Sequence, residues 1–290
     1  VSDHAYRHGE EASMTARFAG KVALVSGAAR GQGRSQAIRL AAEGANIIAF
    51  DVAGPVPAQG APAATPEDLA ETVRLVEGFG RRIIATVADA RDADAVADVV
   101  DRGAREFGGL DVVVANAGIS GLPGPAAQIA PENWSAVIDT NLTGTFHTIR
   151  PAIGHLVGRG GGAIVIMSSS IGLKSVSNMA AYGAAKAGLT GLMRTLALEL
   201  AEHNIRVNTV NPTTVATPMV MNPTSYKLFR PDLDHPTEAD VVPVFRSLNA
   251  LPIPYLEPDD VTNAVLFLAS EEGRYITGVA MPVDAGYAIK

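Results

Sequence analysis

The 290-residue sequence holds no cysteine, one tryptophan and only 5% aromatic residues. Without thiols there is no disulfide scaffold, no thiolate metal site, no iron–sulfur cluster and no cysteine nucleophile. An intracellular, reducing, cytoplasmic setting is the expectation. Cationic residues are also scarce, 23 against 30 acidic ones, for a formal charge of −7. Phosphate-rich or anionic surfaces are held by clustered Lys and Arg, so nucleic acid and membrane are not expected partners. No apolar run reaches the length of a transmembrane helix, and the N-terminal stretch lacks the apolar centre of a secretory signal. The six histidines contain no H-E-x-x-H pattern, and no metal site is expected.

Apolar residues are plentiful at 47%, enough for a substantial core, which excludes global disorder. From Lys21 onward short apolar runs alternate with amphipathic stretches. Val22–Ser26, Ala45–Phe50, Ile83–Val87, Val112–Ala115, Ala163–Met167 and Ile205–Val210 read as strands. Their nearly continuous apolar character suits a parallel sheet covered on both faces. Helices are expected near 31–43, 66–79, 92–107, 131–157, 179–203 and 258–270. This alternation predicts a single doubly wound α/β domain of the Rossmann type, with helices on both faces, over 18–290. Residues 1–17 are expected to form a flexible tail. Two stretches exceed that plan: the proline-rich segment 53–65, followed by Thr65 as a helix cap with Pro66 in the first turn, and the Pro-, Asp- and Asn-rich segment 219–256.

Between the first strand and the first helix runs Ser26-Gly-Ala-Ala-Arg-Gly-Gln-Gly33. Gly27, Gly31 and Gly33, with Arg30 and Gln32 among them, allow a tight turn and close approach of a pyrophosphate to a helix N-terminus. Asp51, followed by Val52, stands at the end of the second strand, where a carboxylate accepts from ribose hydroxyls and repels a 2′-phosphate. NAD is therefore favoured over NADP, with Arg30 as the counterweight. Tyr182 and Lys186 lie at i,i+4 on one helix face. An ammonium near a phenol favours the phenolate, and bringing a tyrosine from about 10 to about 7 takes about 4 kcal/mol.

These residues, taken together, resemble those of the short-chain dehydrogenase/reductase family over residues 18–287. The glycine motif matches Ser26, Gly27, Gly31 and Gly33; Asp89-Ala90 resembles the element after the third strand, and Asn116-Ala117-Gly118 the one after the fourth. The family's Pro-Gly after the sixth strand is Pro212-Thr213 here, a departure that touches the turn near the nicotinamide. The resemblance implies that Asp89 holds the adenine amino group, and that Val215 and Thr217 contact the carboxamide and pyrophosphate. It further implies that Tyr182 is the general acid/base, Ser169 binds the substrate oxygen, and Lys186 binds the nicotinamide ribose and lowers the Tyr182 pKa. Asn141 would hold a water of a proton relay, and Ser168 and Ser170 flank the chosen serine. A homotetramer is likewise implied.

The 53–65 segment with the helix after it resembles the mycofactocin-coupled, carveol dehydrogenase-like subset. That resemblance implies a tightly held NAD re-oxidised by the redox carrier mycofactocin. The expected activity is hydride transfer between NAD and an apolar, terpenoid-like secondary alcohol or ketone, closed in by 119–128 and 219–256. An NADP-dependent carbonyl reductase, a non-catalytic NAD(H) sensor and an S-adenosylmethionine methyltransferase are the alternatives. Only the first uses the Ser169, Tyr182 and Lys186 set.

Overall fold

A computed structural model describes residues 16–290, so nearly all of the expected tail, residues 1–15, lies outside the described residues. Arg17 is already docked, its guanidinium forking the carboxylate of Glu43 and reaching Glu272. The elements run β1 (Val22–Ser26), α1 (Gly31–Ala42), β2 (Asn46–Asp51), α2 (Pro66–Glu77), β3 (Ile83–Val87) and α3 (Ala93–Phe107). Then come β4 (Val112–Ala115), α4 (Pro131–Ile138), α5 (Gly144–Gly158), β5 (Gly162–Met167), α6 (Ala180–Glu199) and β6 (Ile205–Pro212). The chain closes with α7 (Pro223–Phe229), α8 (Glu238–Leu248), α9 (Pro258–Ala269) and β7 (Ala280–Val283).

The seven strands form one parallel sheet in the order β3-β2-β1-β4-β5-β6-β7. Strand β1 explains why both faces must be covered. Ala23 and Val25 pack into one core with Leu40 of α1 and Val265 of α9. Val22 and Leu24 point the other way, into a second core with Val99 of α3 and Ile149 of α5. Truncating a fully buried leucine such as Leu24 to alanine costs about 2–5 kcal/mol, so each face is held firmly. Because β2 lies on one side of β1 and β4 on the other, the loops leaving β1 and β4 part and open a crevice between them.

The six expected strands are all present. Strand β7 was not anticipated: it is four residues long, contains Pro282 and sits at the sheet edge, where a missing N–H costs no ladder bond. The single helix expected over 131–157 is broken into α4 and α5 by a π turn, Asp139–Thr143. One extra residue in a helical turn leaves the apolar periodicity almost unchanged, yet such turns recur at functional sites. Trp134, the single tryptophan, lies on α4 and is 43% exposed. Segment 219–256 contains α7 and α8, whose starts are fixed by Asn222, accepting from Ser225 N at 3.0 Å, and by a reciprocal Thr237–Asp240 cap. The cap expected at Thr65 is also a reciprocal one, with Asp68. Among the described residues no helix is long and apolar enough to cross a membrane.

Candidate active site

The glycine loop is shaped by contacts no side chain would permit. A Cβ on Gly33 would lie 2.0 Å from the carbonyl oxygen of Gly27, and one on Gly27 would lie 2.8 Å from Ala117 Cα. Gly27 and Gly31 also have φ of +66° and +57°, in the left-handed region that favours glycine. Asn116 pins the loop from the far side of the crevice by donating to the carbonyls of Ser26, at 3.0 Å, and Gly27, at 3.2 Å. The Ser26 hydroxyl in turn accepts from the amides of Asn116 and Ala117. No side chain caps the N-terminus of α1, and the Arg34 amide donates to the Arg30 carbonyl at 3.3 Å. That arrangement aims the free amides and the dipole of a 12-residue helix into the crevice.

Asp51 accepts from Ala29 N at 3.0 Å and from Ala53 N at 2.9 Å, which joins the glycine loop to the start of segment 53–65. Arg30 does not stand free beside it. Its guanidinium donates to Ala63 O at 3.2 Å and to Pro62 O, so the cation is spent on that segment. The segment crosses the crevice to the other side: Ser120 Oγ donates to Gln59 O at 3.1 Å, and Val56 is buried against Ile119, Ala136 and Ala185. Val56, Gln59, Ala61 and Ala64 all line the cleft. Sequence reading located the segment near the nucleotide but not these contacts.

Asp89 and Ala90 follow β3 and form the adjoining wall. The Asp89 carboxylate is clasped by Arg91, whose Nε lies 3.0 Å from both oxygens and whose main-chain N donates at 2.9 Å. The guanidinium holds that carboxyl below the usual aspartate range. Thr140, in the π turn, is a lining residue the sequence reading missed. It is 6% exposed, and its hydroxyl has no partner, whereas Thr145 and Thr148 donate to the carbonyls four residues back. The Gln32 amide oxygen is also buried and unpaired at the cleft wall. A glycine cradle, an uncapped helix and two orphaned polar groups fit the phosphates and sugars of a dinucleotide.

At the other end of the cleft stand Tyr182 and Lys186, near the start of α6. Lys186 is 5% exposed; its Nζ donates to Met167 O at 2.7 Å and lies 5.5 Å from the Tyr182 ring centre. Burial lowers the Lys186 pKa to about 8. Burial raises that of Tyr182, and a hydrogen bond with Ser169 pulls it back. In the chain alone desolvation therefore outweighs the lowering expected from Lys186. The three serines are told apart by their partners. Ser168 Oγ donates to the Lys186 carbonyl at 3.0 Å, Ser170 is buried at the start of a 3₁₀ turn, and Ser169 faces Tyr182.

Asn141 is fully buried with its side chain committed. Nδ2 donates to Ile119 O at 2.9 Å and Oδ1 accepts from Ile119 N at 2.8 Å, so the amide clamps the loop after β4. Its main-chain carbonyl accepts from the Thr145 hydroxyl at 2.8 Å. A Cβ on Gly118 would lie 3.2 Å from Asn141 Oδ1 and 3.8 Å from Lys186 Nζ, which explains the glycine there. Thr217 lines the cleft, with its methyl against Gly31, whereas Gly33, Pro212 and Val215 are not among the residues that line it. Thr213 has no left-handed φ, so the turn after β6 needs no glycine.

A sequence profile described as short chain dehydrogenase matches residues 21–227. The (-)-trans-carveol dehydrogenase of Rhodococcus erythropolis is 50% identical over 276 residues, covering 95% of this chain and 100% of that one. The crystal structure of carveol dehydrogenase from Mycobacterium avium in complex with NAD superposes with a TM-score of 0.93 at 50% identity, over 94% of this chain and 99% of that one. A short chain dehydrogenase from Mycobacterium paratuberculosis, bound to NAD, gives 0.86 at 41% identity, over 94% and 100%.

Proposed function

The chain belongs to the short-chain dehydrogenase family, and from that premise we propose that it moves hydride between NAD and an apolar secondary alcohol or ketone. The observation that carries this reading is the gathering of Tyr182 and Lys186, with Ser169 hydrogen-bonded to Tyr182, at one end of a cleft whose other end is an uncapped glycine-rich helix start. NAD, when bound, supplies the hydride acceptor. Gly27, Gly31, Gln32, Asp51, Asp89, Asn116, Thr140 and Thr217 are the residues that hold it. Arg30 is engaged by the Pro62 and Ala63 carbonyls and not left for a 2′-phosphate beside Asp51, which supports NAD over NADP.

In alcohol oxidation Tyr182 takes the hydroxyl proton as hydride leaves the carbon; in ketone reduction it returns that proton. Ser169 Oγ accepts from Ile171 N at 3.2 Å, and its one proton, shared with Tyr182 in the empty site, passes to the substrate oxygen when substrate enters. Lys186 adds the positive charge that opposes the upward pull of burial on the phenol. Oxidation requires the phenolate and is therefore favoured by rising pH, reduction by falling pH.

The substrate is terpenoid-like in this reading, supported by the carveol dehydrogenase relatives and by apolar residues such as Ile119 and Met219 at the cleft. Segment 53–65, spanning the cleft from Arg30 to Ser120, supports a slowly exchanging NAD re-oxidised in place by mycofactocin. Exposed Phe146 and Val157 on α5 support assembly into a homotetramer. The test has two parts. NAD is sought in the supernatant after denaturing protein purified without added cofactor, and hydride transfer to carveol's ketone is followed by NADH absorbance. Tyr182→Phe is expected to keep NAD and lose turnover. Full turnover in that variant contradicts the mechanism, and a chain that binds NAD but turns over no alcohol is instead a sensor.

A further inference from the structure

Strands β5 and β6 pair in register from Gly162↔Ile205 to Met167↔Val210, and the last ladder bond runs from Ser168 N to Val210 O at 2.9 Å. One residue further on, β5 has ended, and the Ser169 carbonyl accepts from no main-chain donor of β6. The side chain of Asn211 fills that gap. Its Nδ2 donates to Ser169 O at 3.0 Å, and its Oδ1 accepts from Thr209 Oγ1 at 2.8 Å. Both residues are fully buried. Thr209 thereby fixes which way the amide faces, because a flipped Asn211 would aim its oxygen at the Ser169 carbonyl.

We infer that Asn211 is a positioning residue for the reaction: with Thr209 it extends the β5–β6 ladder by one bond and fixes Ser169 against Tyr182. This rests on the proposed oxidoreductase reading. Apart from Tyr182, the other partners of Ser169 are local, Gly172 N on its carbonyl at 2.9 Å and Ile171 N on its hydroxyl at 3.2 Å, and both belong to the turn that Ser169 itself starts. Neither of those two bonds reaches the sheet. The bond from Asn211 ties the turn to the sheet.

The test uses the full chain with NAD and carveol, and four variants: Asn211→Ala, Asn211→Asp, Thr209→Val and Thr209→Ser. A misplacement of about 1 Å in a reacting group costs on the order of a hundredfold, so kcat is expected to fall about tenfold to a hundredfold in the first three. Thr209→Ser keeps the hydroxyl and retains activity. The NAD dissociation constant stays within about twofold throughout, because Asn211 lies outside the cofactor contacts. The apparent pKa of the oxidation profile moves upward in Asn211→Ala, as Ser169 ceases to oppose the effect of burial on Tyr182. Wild-type kcat and an unmoved pH profile in Asn211→Ala or Thr209→Val overturn the inference. Where Asn211→Ala fails to fold, the Thr209→Val and Thr209→Ser pair decides. If the wild-type chain oxidises no alcohol, it is the oxidoreductase reading that fails. Hydrogen exchange at Gly172 and Leu173 then decides: faster exchange in Thr209→Val than in Thr209→Ser supports the tether, and equal exchange overturns it.

Discussion

Lys186 is a cation placed where water cannot reach it, and that placement has a measurable signature in stability. Burial lowers its pKa from 10.5 to about 8. At about 1.36 kcal/mol per pH unit this gap is worth about 3 kcal/mol. Between the two values the unfolded chain carries a proton that the folded chain has released, so folding is favoured by rising pH in that window. The contribution is complete above 10.5 and is lost as pH falls through about 8. Lys186→Met removes this titration while keeping a long side chain beside Met167 and Tyr182. Urea denaturation of both proteins without NAD, at pH 7 and at pH 10, measures the difference. Wild type is expected to gain about 2 to 3 kcal/mol on the variant across that interval. Other groups titrate in both proteins and cancel. A stability difference that stays constant within about 0.5 kcal/mol would show that the Lys186 ammonium is not desolvated, and the reasoning fails. The same burial lets Lys186 act on Tyr182 through a medium of low screening.

Two further outcomes follow from contacts at the other end of the cleft. Gly33→Ala places a methyl 2.0 Å from the Gly27 carbonyl oxygen, so the loop must open; stability falls by about 1–3 kcal/mol and NAD binding, read by calorimetry, is lost. Normal NAD affinity in that variant would mean the glycine loop is not the pyrophosphate cradle. Arg30→Met cuts the bonds to Pro62 and Ala63 while leaving Asp51 in place, and release of bound NADH, followed by fluorescence against a competitor, is expected to quicken about tenfold. Unchanged release would remove segment 53–65 from cofactor retention.

Much of this molecule was legible because its determinants are local. The continuous apolar runs of β1, β4 and β5 demanded a sheet covered on two faces, and the glycines between β1 and α1 marked a turn that side chains cannot make. Tyr182 and Lys186 were placed on one helix face by their spacing, and Thr65 capped α2 through a partner three residues away. Strand β7 and the π turn at Asn141 escaped for the complementary reason: an edge strand with a proline and a one-residue bulge barely disturb the pattern that reveals strands and helices.

The amino-acid order by itself determined the sheet and the glycine loop and put Tyr182 and Lys186 on one helix face, since each rests on residues within a few positions of one another. The tertiary structure alone decided what those side chains are free to do. It turned Arg30 toward carbonyls 32 and 33 positions away, closed Asn141 on Ile119 22 positions earlier, and set Asn211 on Ser169 across 42. It also left the Thr140 hydroxyl unpaired at the cleft wall. A buried polar group must find a partner, and when the chain supplies none nearby, only the packing of distant segments determines which one it meets.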